Sequence, residues 1–322
     1  MSSSSTTPQS NAPAITRISV IGAGTIGASW AALFLAHGLK VTLHDPGPDA
    51  ESIARTLITQ AWPALVTLGT AAPDIPWGAL QFEADLEQAV AQADFVQENA
   101  PEREAFKIDL YKRMDAAAPE HTILASSTSG LHMTRLQSQC AHPERCVVGH
   151  PFNPPHLIPL VEVIGGRQTS NDTIERTMAF YRQTGKRPIR IHKEISGHVA
   201  NRLQAALWRE AVYLAAQGVA SVEDIDTAIT EGPGLRWAVF GPHMTFNLGG
   251  GQGGMARFLD HFSGPIKSWW DDLGEAPLDD ATRAILLEGL TQESDGRTIE
   301  ALAHERDEML LRVLEAKRRH TE

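Results

Sequence analysis

Apolar residues in the first half of the chain alternate between short continuous runs and stretches with helical spacing. Residues 17–22, RISVIG, form an apolar run typical of a buried strand, and the following TIGASWAALFLAHG has helical apolar spacing that ends at Gly38. A second strand is predicted at 40–46. Further strands are predicted at 93–97, 122–125, 146–149 and 160–164, with a helix at 103–116. This alternation predicts an α/β protein with a doubly wound, mainly parallel sheet that helices cover on both faces.

The pattern changes near residue 194. Beyond it, amphipathic helical spacing dominates and no convincing strand pattern occurs. Helices are predicted at 198–217, 221–230, 278–290 and 298–317. We therefore predict a sheet-containing domain at residues 15–194 and an all-α domain at residues 195–322. Residues 1–14, MSSSSTTPQSNAPA, carry neither pattern and are predicted to be a disordered leader.

Composition and charge narrow the class of protein. The 322 residues suffice for two domains, and 42% hydrophobic with 21% charged residues is typical of a globular protein. The net charge of −11 argues against nucleic acid or an anionic membrane as a partner, because either favours a basic surface. The N-terminus lacks the basic and apolar regions of a signal peptide, and no apolar run approaches the roughly 20 residues of a spanning helix.

The two cysteines, Cys140 and Cys146, lack the CxxC spacing of a zinc site. Reduced thiols are the simplest interpretation, and they suit a cytoplasmic protein. We therefore predict a cytoplasmic location and no metal.

A glycine-rich segment follows the first predicted strand and precedes the first predicted helix. In this setting a GxGxxG pattern allows a tight turn, a close approach of a pyrophosphate and close packing of the helix, whose N-terminus faces the phosphates. The predicted cofactor-binding loop comprises Gly22, Gly24, Thr25, Ile26 and Gly27. The pattern therefore predicts a Rossmann-type dinucleotide-binding domain.

The choice of dinucleotide depends on Asp45, at the end of the second predicted strand. A carboxylate at this position binds the ribose hydroxyls and repels a 2′-phosphate. NAD is therefore predicted in preference to NADP.

The segment HPFNPPHLIPLVE, residues 150–162, begins with His150, ends with Glu162 and holds four prolines that exclude a helix. His150 follows a predicted strand, and open α/β sheets bind ligands at the carboxyl edge. Histidine suits the role of base in the oxidation of an alcohol. If the next strand runs back beside the first, Glu162 can fix the imidazole tautomer and stabilise the imidazolium. The alternative is a surface loop with both polar ends in solvent.

Four separated motifs resemble, in order, those of the 3-hydroxyacyl-CoA dehydrogenase superfamily: VIGAGTIG, ASSTSGL, GHPFNPP…PLVEVI and GHVANRLQAALWREAVYLAAQGVASVEDIDTAI. The resemblance covers nearly the whole chain and implies an NAD-dependent 3-hydroxy acid dehydrogenase, with His150 as catalytic base and Glu162 as its partner. It also implies that Ser129 and Asn201 hydrogen-bond the substrate oxygen and that Glu98 lies near the nicotinamide. A homodimer built on the helical domain is implied as well.

One departure from the family concerns the loop that carries Ser129. The family often has Asn-Thr-Ser where this chain has Ser127-Thr128-Ser129, which leaves the local hydrogen-bond network open. Judged without the family, Ser129 is better explained as a loop hydroxyl, and Asn201 as a helix-surface amide.

The absence of lysine and arginine from one span of the chain narrows the choice of substrate class. Between Arg55 and Arg103 the chain has no lysine or arginine. This span includes the helical region that resembles the CoA-contacting part of the acyl-CoA enzymes. A CoA thioester, whose phosphates need cationic partners, is therefore disfavoured.

Aromatic residues near a glycine-rich run in the second domain indicate a different substrate. The stretch GPGLRWAVFGPHMTFNLGGGQGGM contains Trp237, Phe240 and Phe246 and resembles the L-carnitine dehydrogenase branch of the family. The resemblance implies L-carnitine as substrate, and aromatic faces attract quaternary ammonium groups. We predict that these rings contact the trimethylammonium and that Arg236 is a candidate for the carboxylate. The alternative is helical core or dimer contact. The glycines at 249–254 lack a phosphate-loop Lys-Ser/Thr and predict a close-packed or mobile segment.

Other functions stay open at this point. Two alternative enzymes are an L-gulonate 3-dehydrogenase, whose HP-NPP motif is similar, and a short-chain 3-hydroxyacyl-CoA dehydrogenase. A non-enzymatic alternative is a structural NADH-binding protein, because the gulonate branch resembles lambda-crystallin. The complete set of Ser129, His150, Glu162 and Asn201 argues against that last interpretation.

Overall fold

A computed structural model describes residues 14–319. The described chain forms two compact units that divide between Val199 and Ala200, whereas the sequence pattern places the boundary at 194–195. The predicted leader, residues 1–14, lies outside the described residues except for Ala14. No helix in the described range is both long and apolar enough to cross a bilayer.

The first unit contains one sheet of eight strands. The strands are β1 (Arg17–Ile21), β2 (Lys40–His44), β3 (Leu80–Phe82), β4 (Phe95–Glu98), β5 (Ile123–Ser126), β6 (Cys146–Pro151), β7 (Leu160–Gly165) and β8 (Arg187–Ile191). Their order across the sheet is β3-β2-β1-β4-β5-β6-β7-β8. Strands β1 to β6 are parallel, β7 is antiparallel to β6, and β8 is parallel to β7. The predicted mainly parallel α/β sheet is confirmed.

Helices cover both faces of this sheet. They are α1 (Thr25–Ala36), α2 (Ala50–Thr67), α3 (Leu86–Val90), α4 (Glu104–Ala117), α5 (Met133–Leu136) and α6 (Asn171–Gln183). Helices α1, α2 and α6 share one buried cluster that includes Trp30 and Tyr181, whose rings stack at 5.5 Å. Helices α3, α4 and α5 share a second cluster around Tyr111. Successive residues of a strand point to opposite faces, so Ile123 joins the first cluster and Leu124 the second.

The sequence pattern missed β3 and β8, and both lie at the edges of the sheet. An edge strand is covered less completely than a central one, so its apolar run is interrupted. Strand β3 has three residues, of which one is buried, and β8 exposes Arg187 and Ile189. Neither strand therefore shows the continuous apolar run by which the central strands were predicted.

The described part of the second unit, residues 200–319, contains helices and connecting turns only. The helices are α7 (Ala200–Ala216), α8 (Val222–Thr230), α9 (Pro233–Trp237), α10 (Pro242–Gly249), α11 (Gly254–Asp272), α12 (Asp280–Ser294) and α13 (Ile299–Arg319). Helix α12 packs against α7 and α8, and α10 packs against α11. The rings of Phe246 and Phe258 stack between α10 and α11 at 4.8 Å.

The glycine-rich run at 249–254 is the turn between α10 and α11. Gly251 and Gly254 have φ of 59° and 58°, in the left-handed region that favours glycine. A Cβ on Gly250 would lie 1.8 Å from the carbonyl oxygen of Gly254, which agrees with the close-packed interpretation. The sequence pattern did not predict α11, because glycines at its start and Pro265 within it interrupt the helical signal.

Candidate active site

Two glycines of the loop between β1 and α1, Gly22 and Gly27, cannot be replaced without strain. Gly22 has φ of 94°, and a Cβ there would lie 2.8 Å from the carbonyl oxygen of Asn99. A Cβ on Gly27 would lie 1.8 Å from the carbonyl oxygen of Gly22. Helix α1 begins at Thr25 and no side chain caps its N-terminus. The loop therefore presents a bare helix N-terminus of the kind that binds a pyrophosphate.

Asp45 follows β2 and is tied to this loop. Its Oδ2 accepts a hydrogen bond from the backbone N–H of Ala23 at 2.9 Å, and its Oδ1 accepts one from that of Gly47 at 2.9 Å. Each carboxylate oxygen has a second lone pair for a further donor. The carboxylate is thus held beside the glycine loop, as binding to a ribose would require.

His150 and Glu162 are direct partners across the antiparallel pair of β6 and β7. His150 Nδ1 lies 2.8 Å from Glu162 Oε2, and both side chains are almost completely buried. Glu162 Oε1 also accepts a hydrogen bond from the backbone N–H of Val199 at 2.9 Å. The contact predicted from the sequence is confirmed, and the alternative with both ends in solvent is wrong. A carboxylate at Nδ1 favours the Nδ1–H tautomer, which leaves Nε2 as a proton acceptor.

The proline-rich segment between these two residues is anchored at two points. Lys186 Nζ donates to the carbonyl oxygens of Pro155 and Ile158, the second at 2.7 Å, and lies 4.9 Å from the centre of the Trp30 ring. Burial lowers the pKa of Lys186 to about 7. The two carbonyls and the ring favour the charged form and oppose that shift.

The second anchor is His156, whose Nδ1 lies 2.8 Å from the hydroxyl of Ser29 on α1. The backbone N–H of His156 also donates to this hydroxyl at 2.9 Å. The segment after the candidate base is therefore fastened to the helix that begins at the glycine loop. Sequence reasoning missed both anchors, because an isolated lysine or histidine carries no local pattern.

A buried amide joins the carboxyl ends of three neighbouring strands. Gln97 Nε2 donates to the hydroxyl of Ser127 at 2.8 Å and to the carbonyl oxygen of Gly149 at 3.2 Å. Its Oε1 accepts from the hydroxyl of Tyr181 at 2.6 Å. A Cβ on Gly149 would lie 1.9 Å from that hydroxyl, so the residue before His150 must be glycine.

Glu98, predicted to lie near the nicotinamide, is the last residue of β4 and is fully buried. Its Oε1 accepts from Lys107 Nζ and from the backbone N–H of Ala100, both at 2.7 Å. Its Oε2 accepts from the hydroxyl of Ser126 at 2.6 Å. Both oxygens thus have protein partners, and the contact with the cofactor stays a prediction.

Ser129 lies exposed in the turn that follows β5. Its backbone N–H donates to Glu102 Oε1 at 3.1 Å, and the hydroxyl of Thr128 donates to the same oxygen. Ser127, where the family often has asparagine, donates to Asn99 Oδ1 at 2.7 Å. The network that the sequence left open is therefore built from Glu102 and Asn99.

His198 was not predicted as part of the site. Its ring centre lies 5.1 Å from that of His150, and its Nε2 donates to the carbonyl oxygen of Thr128 at 3.0 Å. Its Nδ1 is buried and has no hydrogen-bond partner among the described residues. Burial lowers the pKa of His198, and the nearby His150 acts in the same direction. In the sequence only its place after Gly197, as the first residue of a predicted helix, could have drawn attention to it.

The remaining predicted residues lie in the second unit. Asn201 is the second residue of α7. A cavity of about 420 Å³ in this unit is lined by Leu235, Arg236, Val239, Phe240, Thr245, Leu248 and Gly249. The structure thus brings Arg236 and Phe240 together at one cavity. Trp237 and Phe246 are not among its lining residues, and Phe246 instead stacks on Phe258.

Two family models match the chain. The model described as 3-hydroxyacyl-CoA dehydrogenase, NAD binding domain, matches residues 17–195. The model described as 3-hydroxyacyl-CoA dehydrogenase, C-terminal domain, matches residues 197–283. Together they cover most of both units.

Individual relatives match over nearly the whole length. L-Carnitine dehydrogenases of Streptomyces coelicolor and Streptomyces griseus are each 50% identical over 302 residues, which is 94% of this chain and 95% and 90% of those proteins. Among solved structures, 5-formyl-3-hydroxy-2-methylpyridine 4-carboxylic acid 5-dehydrogenase, an NAD⁺-dependent dismutase, is 34% identical with a TM-score of 0.81. That match covers 95% of this chain and 99% of the other.

Proposed function

Because the chain belongs to the 3-hydroxyacyl-CoA dehydrogenase family, we propose that it oxidises L-carnitine to 3-dehydrocarnitine with NAD as hydride acceptor. The predicted family, dehydrogenase class and cofactor are confirmed by the family models and the relatives. The substrate is supported by 50% identity to L-carnitine dehydrogenases over 94% of the chain. The observation that carries the reaction type is the buried pair of His150 and Glu162 at the carboxyl edge of the sheet.

The residues at the start of α1 fit NAD. The uncapped helix N-terminus would hold the pyrophosphate, and the absence of a Cβ at Gly22 and Gly27 allows the tight loop that presents it. The Asp45 carboxylate would accept hydrogen bonds from the ribose hydroxyls. When bound, NAD would accept the hydride from the carbinol carbon of the substrate.

His150 acts as the general base in the proposed reaction. Its Nε2 accepts the hydroxyl proton of the substrate, because Nδ1–H is engaged with Glu162 at 2.8 Å. The buried carboxylate then stabilises the imidazolium that forms. Ser129 and Asn201, by resemblance to the family, hydrogen-bond the substrate oxygen. The reverse reaction uses the same groups, with the imidazolium returning the proton to the carbonyl oxygen.

The two ends of carnitine suit the residues at the cavity in the second unit. Arg236 can pair with the carboxylate, since a guanidinium presents two parallel donors to it. Phe240 offers an aromatic face to the trimethylammonium. We retain Trp237 and Phe246 as further candidates, although neither lines this cavity.

A CoA thioester fits the structure less well than carnitine. Helix α2 carries one cation, Arg55, which is bonded to Glu51 at 2.8 Å and lies over the ring of Trp77. No lysine or arginine lies between Arg55 and Arg103. A phosphate of CoA at α2 would therefore meet a cation that already has an acidic partner.

A homodimer is proposed on the strength of apolar side chains exposed in the second unit. Trp269 and Trp270 on α11 are 65% and 68% exposed, and Leu248 on α10 is 58% exposed. Burying such side chains stabilises association. Analytical ultracentrifugation at micromolar concentration is expected to give a dimer, and a monomer alone would contradict it.

The cytoplasmic location stays a prediction that rests on the two reduced thiols.

The proposed function is tested by following NADH formation with a panel of candidate substrates. The panel comprises L-carnitine, D-carnitine, L-gulonate and 3-hydroxybutyryl-CoA. We expect L-carnitine to have the highest kcat/KM. A higher value for either of the last two would replace carnitine by the corresponding alternative, and NADH binding without turnover of any would favour the crystallin-like alternative.

A further inference from the structure

The two cysteines of the chain face each other, and the proposed reaction uses neither of them. Cys146 is the first residue of β6, and Cys140 ends the short turn that follows α5. Their Sγ atoms lie 3.8 Å apart. Side-chain rotations that bring the sulfurs about 1.8 Å closer would reach the length of a disulfide bond. The sequence holds no third cysteine, so neither thiol has another disulfide partner within the chain.

The backbone between the two thiols is fastened to one buried carboxylate. Asp115 Oδ2 accepts hydrogen bonds from the backbone N–H groups of Ala141 and His142, at 2.6 Å and 3.1 Å. Asp115 Oδ1 accepts from Arg145 Nε at 2.9 Å, and the side chains of this ion pair are almost completely buried. Both ends of the connecting segment are therefore held by the same group, which keeps the two thiols in contact.

The two thiols differ in their access to solvent. Cys140 is partly exposed, whereas Cys146 is fully buried. The hydrogen bond with Cys140 and burial raise the pKa of the Cys146 thiol well above its ordinary value. Cys146 thus keeps its proton near neutral pH, and a first reaction with a small oxidant occurs at Cys140.

We propose that Cys140 and Cys146 form a redox modification site that reacts with hydroperoxides and closes to a reversible disulfide. The Cys140 thiolate attacks the terminal oxygen of the hydroperoxide, the O–O bond breaks, and the alkoxide leaves with the thiol proton as an alcohol. The resulting sulfenic acid condenses with Cys146: the S–S bond forms, the S–O bond breaks, and the hydroxyl leaves as water with the Cys146 proton. Two thiols are oxidised and one hydroperoxide is reduced.

The role of Cys146 in this site is to capture the sulfenic acid before it is oxidised further. A disulfide is reversed by thiols, whereas a sulfinic acid is not. A sulfur at 3.8 Å is present at a far higher effective concentration than any thiol or peroxide in solution. Condensation is therefore expected to be faster than attack on a second hydroperoxide.

The thiol pair is separate from the proposed active site. His150 lies four positions after Cys146 on β6, which places the two residues about 13 Å apart along an extended strand. Strand β6 is hydrogen-bonded to β5 on one side and to β7 on the other, which restrains it between these positions. The inference therefore does not depend on the identity of the substrate.

Peptide mapping by mass spectrometry after treatment with hydrogen peroxide tests the proposal on the whole wild-type chain. We expect a disulfide between Cys140 and Cys146 of the same chain, with a mass lower by two hydrogen atoms. Dithiothreitol is expected to restore both thiols. Gel electrophoresis without reductant is expected to show no covalently linked dimer.

Two variants separate the roles of the cysteines. Cys146→Ala is expected to accumulate sulfenic acid at Cys140, which dimedone traps, and to form sulfinic acid at least about tenfold faster than the wild type. Cys140→Ser is the matched control, and its remaining buried thiol is expected to stay unmodified over the same time. Circular dichroism checks that each variant is folded, and the wild-type mapping tests the proposal without them.

Three results would each overturn the proposal. Sulfinic acid at Cys140 of the wild type, formed as fast as in Cys146→Ala, would show that Cys146 does not capture the sulfenic acid. Disulfides found only between chains would show that the pair does not close within one chain. Two intact thiols at a peroxide dose that oxidises free cysteine would show that the pair is not a modification site. NADH formation with carnitine is measured separately, and its absence would count against the proposed function alone.

Discussion

Glu162→Gln removes one charge from the buried pair while it preserves the size of the side chain. The wild-type carboxylate accepts hydrogen bonds both from His150 Nδ1, at 2.8 Å, and from the Val199 N–H, at 2.9 Å. An amide has one acceptor oxygen and one donor nitrogen in place of two acceptors. The glutamine must therefore either shift the imidazole proton of His150 or face the Val199 N–H with its own N–H donors.

The cost of each orientation follows from these two contacts. If the amide oxygen faces the Val199 N–H, its nitrogen donates to His150 Nδ1 and the proton moves to Nε2. Nε2 then cannot accept the proton of the substrate, and general base catalysis contributes typically ~10²–10⁴-fold. If the oxygen faces His150 instead, two N–H donors face each other in a buried site. A buried unsatisfied donor costs about 1–3 kcal/mol, or roughly 5- to 160-fold in population.

Both orientations therefore lower kcat, and we expect a loss of at least about tenfold and up to about 10⁴-fold. The assay is steady-state NADH formation with saturating carnitine. The residual kcat of His150→Gln gives the lower limit for comparison. NADH binding, measured by fluorescence titration, is expected to stay unchanged because neither residue belongs to the glycine loop.

Glu175→Gln is the matched control for loss of a carboxylate. Glu175 lies at the surface of α6 and pairs with Arg190 at 3.0 Å. An exposed pair of this kind contributes little, so kcat is expected to stay within about twofold. A folded Glu162→Gln enzyme that keeps more than half of the wild-type kcat would refute the role assigned to the pair.

Three further predictions concern the cofactor, the substrate and a buried lysine. Asp45→Ala is expected to lower the kcat/KM ratio of NAD to NADP, because the carboxylate beside the glycine loop no longer repels a 2′-phosphate; an unchanged ratio contradicts this. Phe240→Ala is expected to raise the KM for carnitine about 2- to 30-fold at constant NAD affinity, since one cation–π contact contributes about 0.5–2 kcal/mol. If Trp237→Ala raises this KM and Phe240→Ala does not, the trimethylammonium binds at Trp237 and not at this cavity. Burial lowers the pKa of Lys186 from 10.5 to about 7, so between these values only the unfolded chain holds the proton and stability rises with pH. From pH 7 to pH 9 this contributes at most about 3 kcal/mol; Lys186→Met is expected to remove that rise in urea unfolding, and an unchanged pH dependence would contradict it.

Much of the nucleotide half of the site could be predicted because its parts are contiguous in the chain. A strand, three spaced glycines and a helix occupy residues 17–36, and Asp45 follows the next strand. Chain connectivity alone brings these groups close together, and the glycines are needed for local backbone reasons. The same holds for His150 and Glu162, because twelve residues and a reversal of direction place them opposite each other.

The edge strands show where local pattern fails within the fold. Strands β3 and β8 bury only part of their side chains, so hydrophobicity along the chain does not mark them. Helix α11 was missed for a different reason, since its glycine-rich start resembles a loop until its packing against α10 is known. Tertiary burial decides these elements rather than local propensity.

The sequence by itself determined the class of sheet, the dinucleotide loop, the contact between His150 and Glu162, and the family. Only the tertiary structure decided which polar side chains support them. Lys186 bonds carbonyls 28 and 31 residues away, and His198 bonds one 70 residues away. Glu102 lies 27 residues from the N–H of Ser129. In the sequence, lysine, histidine and glutamate at such positions look like ordinary surface residues, because burial and partner atoms arise only when distant strands meet at one edge of the sheet.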